Sequence, residues 1–322
     1  MKTLVMILGA GHSGSTLLDK ALGSHPSCFS LGEVNNLDKE LNKDFSLCGC
    51  SKPIRECDFW LDIVNRLSDK YGKDYMRTPL ELKTNIDFDS GSKLEKIVFL
   101  IKTFFSSRPM KNLLNDRMEE GMKISSDIIE MVFEKTGADI LIDSTKNIFR
   151  SFLYRNQFRE YKIKFIHLVR DGRSVLNSYQ KKTYNVHMLN ETTGKIEKKI
   201  YPRTTIEKPQ KDVKEWMSAN IKAGIFLRLF ANKDRYFLRY EDFTTEPEKY
   251  LRELAEFMEI DYDAKMLRLD NRVNHMCGGN ASRINAVDIK KPSESWKKDL
   301  DNSTLNLFSK KAGWLNRNYG YK

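Results

Sequence analysis

Thr3-Leu4-Val5-Met6-Ile7-Leu8-Gly9-Ala10-Gly11-His12-Ser13-Gly14-Ser15-Thr16 decides how this chain folds. Residues 3–8 form a β-compatible apolar run, which reads as a buried first strand. Glycines end it, and residues 14–23 read as a helix that stops near Gly23. Strand, glycine loop and helix open a nucleotide-binding α/β unit. From Gly9 to Thr16 the chain keeps the phosphate-loop frame G-x-x-x-x-G-K-[ST], except that Ser15 stands where the lysine belongs. Glycines let backbone N–H groups turn inward and the helix adds its positive end, so an anion fits there. Without the lysine, the usual cation on the β/γ-phosphates of a triphosphate is missing. The loop therefore suits a single phosphate better than a triphosphate with magnesium. The alternative is a plain glycine turn.

Outward from this loop, further short strands are expected at 138–143, 164–169 and 235–240, alternating with helical stretches. Residues 60–135 carry mostly helical periodicity, broken near Pro79, Gly91 and Pro109, and read as a helical insertion over the sheet. Residues 183–212 are polar, rich in Lys and Thr, and read as a long mobile loop. No internal repeat or clean linker interrupts the chain. The expected fold is a single α/β domain over 1–322, a three-layer α/β/α arrangement with a central parallel sheet of the P-loop nucleotide-binding type and an inserted helical cap.

The chain has 322 residues with 55 Lys+Arg against 44 Asp+Glu, a net charge of +11. That balance favours anionic ligands, although scattered lysines also simply solvate a surface. No apolar run approaches the roughly 20 residues a bilayer span needs. The N-terminal run has no convincing cleavage site behind it, so a cytoplasmic location is expected. Five cysteines, an odd number, argue against a disulfide framework in that setting. Cys48, Cys50 and Cys57 cluster, and a metal reading would take Cys28 or a histidine as fourth ligand. The spacing lacks a second Cys-x-x-Cys or a histidine pair, so a structural turn is the favoured expectation.

A second anion site is written into Leu168-Val169-Arg170-Asp171-Gly172-Arg173-Ser174-Val175-Leu176-Asn177-Ser178, which follows a strand and opens a helix. Arg170 and Ser178 offer a guanidinium fork and a hydroxyl for one phosphate. Asp171 and Arg173 read as a helix-start carboxylate and a surface cation.

The two sites together, in this order, resemble those of the 3′-phosphoadenosine 5′-phosphosulfate (PAPS)-dependent sulfotransferases, of bacterial type and similar in motifs to tyrosylprotein sulfotransferases. Ser13-Gly14-Ser15-Thr16 match the 5′-phosphosulfate loop, with His12 where that family has Lys or Arg. The resemblance implies that Gly11, His12, Ser13, Gly14, Ser15 and Thr16 hold the 5′ end of PAPS, and that Arg170 and Ser178 hold its 3′-phosphate. Gly278-Gly279-Asn280-Ala281-Ser282-Arg283 resembles a late family segment whose arginine, here Arg283, lies near that phosphate. Tyr240 either faces the nucleotide or is an ordinary buried tyrosine. Glu33, eight residues after His25, matches the base of tyrosylprotein sulfotransferases, and Lys146 in Asp143-Ser144-Thr145-Lys146 matches a lysine on the sulfuryl group. His12 and Lys146 are thus the expected cations and Glu33 the expected base. The implied activity is transfer of a sulfuryl group to a hydroxyl on a glycan, lipid, tyrosine or small metabolite, with no metal and no nucleic acid partner. The competing readings are a P-loop kinase or NTPase, and a non-catalytic nucleotide- or polyanion-binding protein. Acceptor identity and oligomeric state are not legible.

Overall fold

Every residue of β1 (Thr3–Leu8) is buried in the computed structural model. Its unbroken apolar sequence follows, because alternate side chains enter different cores. Leu4, Met6 and Leu8 face one core and Val5 and Ile7 the other. The structure describes residues 1–43, 46–82, 116–148, 150, 151, 154, 158, 160–190, 193, 196–205, 208–269, 273–284 and 288–322.

β1 is the middle strand of a five-stranded sheet. With β2 (Cys28–Gly32), β3 (Ile140–Asp143), β4 (Lys162–Val169) and β7 (Arg235–Arg239), the order is β2–β3–β1–β4–β7. All its pairings are parallel, with Met6 beside Asp143 on one side and Phe165 on the other. Parallel neighbours need crossovers, and these place helices on both faces. The Leu4–Met6–Leu8 face packs on α2 (Asp58–Tyr71) through Trp60, Ile63 and Leu67, and on α3 (Asp116–Thr136) through Ile124, Ile128 and Val132. The Val5–Ile7 face packs on α1 (Ser15–Gly23) through Leu18 and Leu22. A third cluster joins α4 (Gly172–Tyr179), α5 (Pro209–Leu227) and, in the C-terminal region, α7 (Asn302–Asn318) around Trp216 and Phe308. On the α1 face, α6 (Pro247–Met258) contributes Leu251, Leu254 and Met258. This is the expected three-layer α/β/α architecture.

The helical insertion is described at its two ends, α2 and α3. Its expected breaks at Gly91 and Pro109 lie outside the described residues. The stretch 183–212 departs from a plain loop. It forms an antiparallel hairpin of β5 (Thr183–Leu189) and β6 (Ile196–Pro202), with Tyr184 opposite Tyr201, and α5 begins before it ends. The pattern hides this hairpin because β6 is exposed along almost its whole length, so no apolar face alternates with a polar one. No helix among the described residues is long and apolar enough to cross a membrane.

Candidate active site

The carboxyl ends of β1, β2, β3 and β4 meet beside β1, where the chain order reverses across the sheet. Ligands of open α/β sheets bind at such a crevice. Three residues of the loop after β1 take left-handed or otherwise positive φ: Gly9 at 147°, His12 at 57° and Gly14 at 91°. A Cβ on Gly14 would sit 2.3 Å from the Tyr240 ring, so this glycine lets the ring close over the loop. The Arg170 guanidinium lies 4.7 Å from the centre of the same ring on its way to the His12 carbonyl, to which it donates at 3.0 Å. The Ser13 hydroxyl and the Arg170 Nε are buried without a hydrogen-bond partner. Both are the kind of polar atoms an entering anion would satisfy.

His12 is the departure from a permanently cationic loop, and its surroundings sharpen the point. Packing strips water from its ring, and Arg203, Arg170, Lys146 and Lys181 add positive charge, which together push its pKa down to about 4. The residue keeps an exposed edge. Its ring stands edge-on to Tyr179 at 4.7 Å between centres. At neutral pH, without an anion, His12 is a neutral hydrogen-bonding group amid cations.

Glu33 and Lys146 come from adjacent strand ends and meet. The Lys146 ammonium donates to Glu33 Oε1 at 2.5 Å, to the Ser144 carbonyl at 2.9 Å and to the Ser15 hydroxyl at 3.2 Å. Both side chains are mostly buried, at 15% and 21% exposure. Lys146 reaches this position with φ at 63°, a left-handed conformation uncommon for a residue with a side chain. The other Glu33 oxygen accepts from Asn36 Nδ2 at 2.9 Å. Below them, Asp19 of α1 is fully buried and accepts from the Ser30 hydroxyl and, at 2.5 Å, from the Ser144 hydroxyl. Burial raises its pKa to about 7. It ties the phosphate-loop helix to the ends of β2 and β3.

The remaining expected residues divide. The Thr16 hydroxyl accepts from the Asn280 amide at 3.3 Å, joining α1 to the late glycine segment, and a Cβ on Gly279 would lie 3.5 Å from Glu33 Oε1. A Cβ on Gly11 would lie 2.4 Å from the Tyr179 hydroxyl. Ser178, on the last turn of α4, donates to the Ser174 carbonyl at 3.0 Å and makes no hydrogen bond to Arg170. Arg283 is buried and braces two loops, donating to the Gly279 carbonyl at 3.0 Å and to the Leu47 carbonyl at 2.8 Å. Asp171 accepts from the Arg173 amide and caps α4.

Sequence reasoning missed Arg203 and Arg150. Arg203 follows β6, donates to the Tyr179 carbonyl at 3.0 Å and is the foremost cation acting on His12. It sat in the stretch with no recognised motif. Arg150 and Asp143 form an ion pair at 3.4 Å with exposures of 1% and 0%. The cysteine cluster also differs from a bare turn. Cys48, Cys50 and Cys57 gather with His275, all four ligand atoms lying within 4.8 Å of one another, while Cys28 belongs to the core under α1.

The fold is a mixed α/β domain whose five-stranded parallel sheet ends beside the glycine loop after β1. The chain belongs to the sulfotransferase domain family, whose profile it matches over residues 2–310. It is similar in structure to the sulfotransferase domain from the curacin biosynthetic pathway, at 18% identity and a TM-score of 0.50, covering 100% of this chain and 99% of that one. The sulfotransferase domain from the Synechococcus PCC 7002 olefin synthase is similar at 16% identity and a TM-score of 0.50, covering 96% and 95%. No curated protein matches the chain significantly in sequence.

Proposed function

We propose that this chain transfers the sulfuryl group of PAPS to an acceptor hydroxyl by in-line displacement, with Glu33 as the base. The observation that carries the reading is the contact of Lys146 with both Glu33 and Ser15 at the phosphate loop. Lys146 is then one movement of its ammonium away from a sulfonate bound at the helix start. Its departure leaves a Glu33 oxygen free to take the acceptor proton. The acceptor oxygen forms a bond to sulfur as the bond from sulfur to the bridging phosphate oxygen breaks. The proton goes to Glu33, and the leaving adenosine 3′,5′-bisphosphate carries away the electron pair. Lys146 and the N–H groups of residues 13–16 stabilise charge on the sulfuryl and phosphate oxygens. Arg170 takes the 3′-phosphate, and Ser178 joins it by turning its hydroxyl from Ser174. The acceptor is a hydroxyl compound, and the reading includes a cytoplasmic location. No metal takes part in the transfer.

The test is thermal stabilisation of the purified chain. Adenosine 3′,5′-bisphosphate at 100 times its Kd raises stability by about 2.7 kcal/mol, whereas ATP with magnesium gives a smaller shift. A larger shift with ATP–magnesium overturns the donor assignment in favour of an NTPase. Equal stabilisation by unrelated polyanions favours a non-catalytic binder.

His12 supplies a second test. A bound anion raises its pKa, so the complex takes up a proton that the free protein, with His12 near 4, does not hold. Affinity for the bisphosphate therefore climbs as pH falls from 8 to 6, beyond any change from the ligand's own titration. His12→Arg supplies a permanent cation, binds roughly tenfold tighter at pH 8 for a gain near 1.4 kcal/mol, and loses that extra pH dependence. Calorimetric titration of both proteins across this range, with the variant subtracting the ligand's own titration, reads the effect. Identical pH slopes would rule out His12 as the group that takes up a proton when the nucleotide binds.

A further inference from the structure

We propose that Cys48, Cys50, Cys57 and His275 form a structural zinc site, and that it fixes the strand end carrying Glu33. Cys57 Sγ lies 3.5 Å from Cys48 Sγ and 3.6 Å from Cys50 Sγ. His275 Nδ1 lies 3.3 Å from Cys57 Sγ and 3.7 Å from Cys48 Sγ. In a tetrahedron with Zn–S near 2.3 Å and Zn–N near 2.0–2.1 Å, the ligand atoms stand about 3.5–3.8 Å apart. The four distances centred on Cys57 and His275 lie close to those edges, and all four donors lie within 4.8 Å of one another. Two thiols and a histidine would suffice for chance proximity, but here three sulfurs surround one imidazole nitrogen. A disulfide between any two would strand the third. Four protein ligands leave no open position, which is the pattern of a structural rather than a catalytic zinc. Soft thiolates with one imidazole select zinc over calcium or magnesium.

The surroundings hold the ligands in place. The His275 ring stacks on Phe59 at 4.7 Å with an angle of 10° between planes. The Trp60 indole donates to the His275 carbonyl at 2.8 Å. The cysteine turn is closed by the Ser51 amide donating to the Cys48 carbonyl at 2.9 Å, with Ser51 at φ 76°. The Gly49 amide donates to the Met276 carbonyl at 3.1 Å, stitching the turn to the segment that carries His275. A Cβ on Gly49 would sit 1.7 Å from Asn274 Oδ1, so only glycine allows that approach.

Two residues past His275, Cys277 pairs with the end of β2. Its amide donates to the Leu31 carbonyl at 3.1 Å, and its carbonyl accepts from the Glu33 amide at 2.6 Å. Zinc therefore anchors the cysteine turn and α2 on one side and the backbone around Glu33 on the other. The metal site stands on the four ligands alone. Its effect on turnover rests on the reading of Glu33 as the base.

The full chain, purified from a reducing cytosol without chelator, should hold one zinc per molecule by elemental analysis. Exchange with cobalt should give the visible absorption of tetrahedral cobalt with a thiolate-to-metal charge-transfer band. Cys50→Ser and His275→Ala each remove one of the four ligands and should lose at least about nine-tenths of the metal, while Cys28→Ala keeps it. A chelator should lower the melting temperature of wild type and not of a protein already lacking zinc. Absence of bound metal together with absence of a cobalt spectrum in wild type overturns the site, whether or not the variants fold. A disulfide among the three cysteines in protein from that cytosol overturns it equally. If zinc is present but Glu33→Gln keeps its turnover, the site stands and the base assignment alone fails.

Discussion

Glu33→Gln lowers turnover by about 10²–10⁴, the range that one positioned general base supplies, while binding of adenosine 3′,5′-bisphosphate is retained or slightly tightened. The sign of the binding change follows from the geometry. Glu33 is a carboxylate at 2.5 Å from Lys146, beside the loop proposed to hold the 5′-phosphate of the nucleotide. Removing its charge removes repulsion toward the ligand and releases Lys146 to meet it. The substitution keeps the size of the side chain and an oxygen that accepts from Lys146. The fold should hold, and an unchanged melting temperature checks that it does. Lys146→Ala costs about 10²–10³ by removing a cation from the developing charge. The double variant should cost far less than the product of the two losses, because the residues act as one unit. Single-turnover rates with labelled PAPS and a screened hydroxyl acceptor measure all three. Turnover of Glu33→Gln above a tenth of wild type would remove Glu33 from the chemistry and leave the transferase without its proposed base.

What could be read in the sequence is what local patterning fixes. Residues 3–16 announce a strand, a turn and a helix because strand burial, glycine placement and helix start all fall within one short stretch. Glu33, Lys146, Arg170 and Tyr240 could each be singled out, but not who touches whom. The Glu33–Lys146 contact is set by β2 and β3 lying side by side, and the Arg170–Tyr240 stack by β4 pairing with β7. His275 could not be assigned to the cysteines, since 218 residues separate it from Cys57 and no spacing rule spans that distance. The hairpin at 183–202 was hidden by its wet faces. Arg203, just past its end, adds its charge to the surroundings of His12 and donates to the Tyr179 carbonyl. Arg283 is expected near the 3′-phosphate by motif, and its Nη groups also brace two loops through Leu47 and Gly279, while its Nε is buried without a hydrogen-bond partner. A guanidinium recognises a ring of backbone carbonyls as readily as it recognises a phosphate, and sequence does not say which it will meet.

Arg150→Ala destabilises the fold by about 3–5 kcal/mol, the cost of leaving one half of a buried ion pair without its partner. Asp143 is fully buried at the end of β3, and Arg150 Nε lies 3.4 Å from it. Arg150 Nη1 also donates to the Ser125 hydroxyl at 3.0 Å and to Asn35 Oδ1 at 3.3 Å. One guanidinium thus joins α3 to the segment two residues past Glu33 and to the strand end before Lys146. Replacing both partners should separate stability from activity. Asp143→Leu with Arg150→Met removes two buried charges together, and such swaps are often neutral or stabilising, so most of the lost stability returns. Activity does not return, because Asp143 Oδ1 also accepts from the Thr145 amide at 2.8 Å. That bond shapes the turn that sets Lys146 at its left-handed φ of 63°. Denaturant midpoints for the single and double variants, read beside their single-turnover rates, test both halves. A double variant as unstable as Arg150→Ala would show that the hydrogen bonds to Ser125 and Asn35, rather than the ion pair, hold this corner. A stable double variant with full turnover would show that Lys146 needs no help from Asp143 to reach the sulfuryl group.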